Sequence, residues 1–225
     1  MSKELTDLSF EDWLAYVFDH PVEDPAWYWD PQAEWWDARR DPVTTIAYIT
    51  RAFEQIEDVA ALYTEGQIAQ GLWFLVDSSS EHMLALLDEA VPLAARLRCI
   101  RSFYRVYEAL FLPRCSSRLI EPGDSPPPDP LDLICYMWWD ILPVTAQPDK
   151  PGRHPIDFTA LEVMAQTLAL DSPLCAQAAL HGLGHWQPYY PDEVQHLIDE
   201  FLVRHPDLAP ELVAYAHQAR SGCVL

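Results

Sequence analysis

Twenty prolines against seven glycines constrain this chain more than any other feature. A proline ring fixes φ and removes the backbone donor. It is therefore tolerated in the first turn of a helix and excluded from helix interiors and central strands. Here prolines cluster at 21–42, 113–130 and 143–155, and Pro92, Pro130, Pro173, Pro191 and Pro210 each stand just ahead of an apolar run. Between these breaks apolar residues recur at spacings of three and four, the helical period. Ser9 with Asp12, Thr64 with Gln67 and Ser78 with Glu81 have capping-box spacing ahead of WLAYVF, QIAQGLWFLV and HMLALLDEAV. From Pro92 a long helix is expected to Leu112, where Pro113 ends it. Its stripe is Leu93, Leu97, Ile100, Tyr104, Tyr107 and Phe111.

Further helices are expected from Pro130 through LDLICYMWWDIL, over about 156–170, from Pro173 through LCAQAALHGLGHW, from Pro191, and from Pro210 to Arg220, with Gly222 stopping the last. VTTIAYIT at 43–50 is β-branched enough for a strand, but a single strand has nothing to pair with, so it is read as helix. The expected class is all-α: antiparallel helix pairs, stacked as an α-solenoid or gathered as a compact bundle. The chain reads as one domain over 1–225. EPGDSPPPDP at 121–130 is a candidate break between helical halves, and residues 1–42 form an aromatic, acidic cap.

Charge narrows the function. Asp and Glu number 35 against 14 Lys and Arg, a formal charge of −21. Phosphate contacts need surplus cations, so neither a nucleic-acid binder nor a ligand of acidic membranes is expected. A basic protein partner fits, because an acidic surface steers its approach; a salt-adapted proteome would give the same composition. The N-terminus shows no signal-peptide pattern, and no run approaches the length of a spanning helix. Cys99, Cys115, Cys135, Cys175 and Cys223 are scattered, with no CxxC pair, which suits reduced core thiols and a cytoplasmic setting.

Shifting the chain by 111 residues lays Gly71-Leu72 on Gly182-Leu183, and Leu86, Asp88 and Glu89 on Leu197, Asp199 and Glu200. Both blocks read as a small-residue helix, a loop and a helix ending in LLDE or LIDE. The segment 171–202, DSPLCAQAALHGLGHWQPYYPDEVQHLIDEFL, resembles a HEAT-type repeat, and 64–91 does so more loosely. The chain is also similar to uncharacterised bacterial helical proteins with an ALHGLGHW-type stretch. The resemblance implies a HEAT-like scaffold whose usual work is binding other proteins.

Three constellations could carry chemistry. His181 and His185 stand at i and i+4, a metal-ligand spacing, but Gly182 occupies the position of the acid in an HExxH motif. A third ligand would have to be Glu193, His196 or His217. Two glycines inside a helix cost about 1 kcal/mol each, so a packing reason is the simpler explanation. No metal and no cofactor is expected.

The second is DPAWYWDPQAEWWD at 24–37. Five of nine tryptophans (Trp13, Trp27, Trp29, Trp35 and Trp36) lie in the first 36 residues, interleaved with Asp24, Asp30, Glu34 and Asp37. Tryptophan supplies large rigid contact area with one N–H donor. The expected partner-binding residues are Trp27, Trp29, Asp30, Glu34, Trp35, Trp36 and Asp37. The other use of this segment is a cap packed on Tyr136, Trp138 and Trp139; a carbohydrate platform is a further use.

The third is Arg96, Arg98, Arg101, Arg105, Arg114 and Arg118, six of twelve arginines, expected to pair with nearby carboxylates. No phosphate loop, nucleophile elbow or zinc-finger spacing occurs. The sequence therefore points to a non-enzymatic binding protein, in concrete form a bacterial immunity-type protein that neutralises a basic toxin or effector. A metal-dependent hydrolase centred on His181 and His185 and a structural adaptor are the alternatives. Oligomeric state is not legible.

Overall fold

The computed structural model describes residues 4–121, 123 and 128–224, so half of the proline-rich break at 121–130 lies outside the described residues, as does Lys3. The protein is all-α. The helices are α1 (Phe10–Phe18), α2 (Pro42–Glu54), α3 (Ile56–Leu62), α4 (Glu65–Val76), α5 (Leu93–Val106, continued below), α6 (Pro130–Ile141), α7 (His154–Leu168), α8 (Pro173–Trp186), α9 (Pro191–Arg204) and α10 (Pro210–Arg220). The only strands among the described residues are β1 (Glu4–Leu5) and β2 (Trp35–Trp36), a two-residue parallel pair with Glu4 opposite Trp35 and Leu5 opposite Trp36. No helix among the described residues is long and apolar enough to cross a membrane.

Local chemistry explains most helix starts. The Ser9 hydroxyl accepts from the Asp12 amide, and Thr64 and Gln67 close a full reciprocal capping box. Asp41 accepts from the Thr44 amide with Pro42 behind it, so the β-branched run 43–50 is the body of α2. Ser172 accepts from the Cys175 amide at the head of α8. Gly222, at φ +73°, follows α10 in the left-handed region that glycine tolerates.

Two expectations fail for identifiable reasons. Ser78 and Glu81 do not open an α-helix. Asp77 takes the Ser79 amide at 2.7 Å, Glu81 sits at φ +62°, and the segment makes short 3-10 turns at Ser78–Ser80 and Met83–Leu87. The 111-residue shift thus lays a 3-10 turn on the 14-residue helix α9. Pro113 does not end α5 either. A π-turn at Tyr107–Phe111 routes the Leu112 amide to the Tyr107 carbonyl, and a last turn, Leu112–Arg114, carries the proline. The buried face of α5 is Cys99, Ile100, Phe103, Val106, Tyr107, Leu110 and Phe111, whereas Leu93 is 39% exposed.

The chain divides into two compact units. The first is Met1–Cys99 with Leu142–Val144, and its core includes Trp13, Phe18, Ile46, Ile49, Phe53, Ile56, Ile68 and Leu72. The second is Ile100–Ile141 with Thr145–Leu225. Its centre is α8, which packs against α6, α7, α9 and α10 and is buried continuously over 174–184. That explains why α8 carries small and apolar residues on every side rather than one stripe.

Candidate functional site

In the first unit α1 fixes the site. Phe10, Trp13, Leu14, Val17 and Phe18 anchor its inner face, leaving Asp12, Tyr16 and His20 towards the segment that follows. That segment folds back over the helix. Trp27 stacks on His20 with ring centroids 3.7 Å apart and 12° between planes, and meets Phe74 at 4.7 Å and Tyr16 at 5.5 Å. The His20 Nε2–H donates to the Tyr16 carbonyl at 2.7 Å. Burial lowers the His20 pKa, against the opposing pulls of that carbonyl and of Asp19.

Two adjoining hollows result. The larger, about 850 Å³, is walled by Leu5, Tyr16, His20, Trp27 and Trp29 with Asp12, Glu23, Asp24, Asp30 and Glu34. The smaller, about 240 Å³, shares Tyr16, Trp27, Asp30 and Glu34 and adds Trp35, Trp36, Asp37, Phe74 and Glu81. Among the described residues, neither wall contains a lysine or an arginine. The neighbouring Arg39 and Arg40 are engaged by Glu81 at 3.2 Å and Glu4 at 2.6 Å. All seven residues expected to bind a partner line one hollow or the other.

The tryptophans divide into two roles. Trp27 and Trp36 are half-buried: the Trp36 amide donates to the Tyr16 hydroxyl at 3.2 Å, and its ring lies 5.6 Å from His82. Trp29 is 57% exposed and Trp35 is 43% exposed, so these two offer their faces to solvent. The rings under Trp27 and Tyr28 are Tyr16, His20 and Phe74. Within the second unit Trp138 and Trp139 pack on Phe103.

Beneath the hollows Trp13 Nε1–H donates to His82 Nε2 at 3.3 Å, and His82 Nδ1 meets the Ser80 carbonyl at 3.0 Å. Those partners require the Nδ1–H tautomer. Burial pushes the His82 pKa down to about 4, so the ring is neutral at pH 7.

In the second unit His181 and His185 share one face of α8. Their Nε2 atoms are 3.2 Å apart, and Asp140 Oδ1, at the end of α6, lies 3.3 Å from His185 Nε2. The acid beside the two imidazoles is Asp140, not Glu193, and His196 pairs with Glu200 at 3.5 Å. His181 Nδ1 contacts the Tyr215 hydroxyl at 2.7 Å, which continues to the Tyr136 hydroxyl at 3.1 Å. Burial, and next the charge of His185, hold His181 at about 4 against the pull of Asp140.

The glycines of HGLGH serve close packing. A Cβ on Gly182 would lie 2.6 Å from Trp139 Cβ, and one on Gly184 would lie 2.6 Å from both Val224 methyls. Of the arginine cluster, Arg98 makes a two-pronged pair with Glu54 at 2.7 Å, Arg101 reaches Glu162 at 3.5 Å, and Arg105 pairs with Glu108.

No family model, curated protein or solved structure matches the chain.

Proposed function

We propose that this is a cytoplasmic protein whose work is to bind a basic protein partner, with the two acidic hollows of the first unit as the docking face. The observation that carries the reading is the pairing of exposed tryptophan faces at Trp29 and Trp35 with seven wall carboxylates. An arginine or lysine entering such a hollow gains charge attraction from the rim and a cation–π contact from the rings. Its aliphatic stem lies along the apolar wall. The net charge of −21 adds long-range steering.

Neutralisation of a basic toxin or effector, as an immunity protein does, is the concrete form of this reading, because masking a surface needs complementarity and no chemistry. Contact of α8 with α9 across the short turn Gln187–Tyr190 suits a HEAT-like scaffold. A metal-dependent hydrolase is favoured by one observation, Asp140 beside the two imidazoles.

Affinity capture from extract of the source cells tests the binding reading, with the wild type and a Glu34→Gln/Asp37→Asn chain as parallel baits. A basic protein retained by the first and lost by the second supports it. Baits that retain the same proteins overturn it.

A further inference from the structure

The second unit holds a group that the binding reading does not use. Ligands of a tetrahedral zinc ion, bonded at about 2.0–2.1 Å, stand about 3.3 Å from one another; an octahedral ion would bring them to about 3.0 Å. The observed edges are 3.2 Å between the imidazole Nε2 atoms and 3.3 Å from His185 to Asp140, and all three ligand atoms lie within 4.8 Å of one another. Two of the three edges, both meeting at His185, already have the length of a tetrahedron's edge, and the third lies within 4.8 Å.

The surrounding groups fit the same purpose. A histidine that ligates through Nε2 needs its Nδ1–H directed to an acceptor, which fixes ring and tautomer. Tyr215 Oη fills that place for His181 at 2.7 Å, and Tyr136 supports it. Two imidazoles and one carboxylate suit a first-row divalent ion of the zinc class. Magnesium and calcium prefer all-oxygen sets, and copper(I) prefers sulfur. The side chains of His185 and Asp140 are 39% and 37% exposed, so an ion has an entry path and a fourth, solvent-facing position.

We infer that Asp140, His181 and His185 form a zinc-class metal site with three protein ligands and one open position, braced by Tyr215. Gly182 makes the site possible. Only a residue without Cβ lets the base of the Trp139 side chain seat against α8, and that contact carries the next residue, Asp140, to the histidines. This site is built wholly from the second unit and stands or falls independently of the hollows in the first.

Calorimetric titration of chelator-treated full-length protein with zinc chloride is the test, with folding checked by circular dichroism. The expected result is one ion per chain. Asp140→Asn, nearly isosteric and half-exposed, should weaken binding at least tenfold, as should His185→Ala. Tyr215→Phe should weaken it about tenfold while keeping stoichiometry, as loss of an outer hydrogen bond to a ligand does. Cobalt(II) in place of zinc should give the intense visible bands of a four-coordinate ion in the wild type and lose them in Asp140→Asn. Weak binding of several ions, equal in wild type and Asp140→Asn, would show adsorption to the acidic surface and overturn the inference. So would cobalt spectra that Asp140→Asn leaves unchanged.

Discussion

Gly182 sits so tightly against Trp139 that an added Cβ would lie 2.6 Å from one side-chain carbon and 2.7 Å from the next. Both contacts involve the rigid base of the tryptophan side chain rather than a flexible tip, so the clash is relieved only by moving α6 and α8 apart.

Gly182→Ala should therefore destabilise the protein by about 1–3 kcal/mol, the usual cost of overpacking. Gly152→Ala is the control, since nothing lies within 4 Å of its added Cβ. Denaturant titration of both checks this. Equal midpoints would mean that the helices separate freely at Gly182.

How far the sequence discloses this arrangement depends on the range of the interactions. Capping at Ser9 and Thr64 and the proline-started helices are local, and the residues that specify them lie within a turn of each other. Ser78 and Glu81 have the same spacing, but Asp77 competes for the first amide and wins, which spacing alone does not reveal. Pro113 reads as a terminator because an α-helix cannot absorb it, whereas the π-turn removes the hydrogen bond it would have broken. The tryptophan-acid segment is visible as composition, but its floor of Tyr16, His20 and Phe74 comes from α1, the residues just after it and α4, and depends on packing. Asp140 is one acid among 35 in the sequence. Only the close approach at Gly182 singles it out.

His82 should make stability fall in mild acid. Its folded pKa of about 4 lies below the unfolded value of about 6.5, so the unfolded chain binds the extra proton. Its contribution is complete above pH 6.5 and is lost as pH falls through 6.5 towards 4, by about 3 kcal/mol in all. Melting temperatures of wild type and His82→Asn between pH 7.5 and 4.5 isolate this from carboxylate protonation. The variant should melt lower at pH 7.5 and decline less steeply; parallel curves would contradict the assignment.

Asp157 should be a structural acid. It is fully buried, its Oδ2 accepts from the Gln147 amide and the Tyr190 hydroxyl, each at 2.8 Å, and Arg153 approaches its Oδ1 at 3.6 Å. Asp157→Ala strands buried donors and should cost about 2–4 kcal/mol, against about 1 kcal/mol for Tyr190→Phe. Chemical denaturation measures both, and similar losses would show that Tyr190 is the only partner of consequence.

Trp27 and Trp36 should behave as core and Trp29 and Trp35 as surface. Trp36→Ala removes a ring packed on His82 and should lower the melting temperature, whereas Trp29→Ala and Trp35→Ala should shift it little. Thermal unfolding of the single variants decides this, and a large drop for Trp35→Ala would make the whole segment a cap.

Association kinetics with the captured partner test the central claim most directly. Raising salt from about 50 to about 500 mM shortens the Debye length from about 14 Å to about 4 Å. By surface plasmon resonance the on-rate should fall at least about tenfold over that range, with the off-rate nearly constant. Glu34→Gln/Asp37→Asn should lower the on-rate, and Trp29→Ala/Trp35→Ala should raise the off-rate without loss of folding. A salt-independent on-rate, together with unchanged kinetics in the tryptophan variant, would contradict a docking face at these hollows.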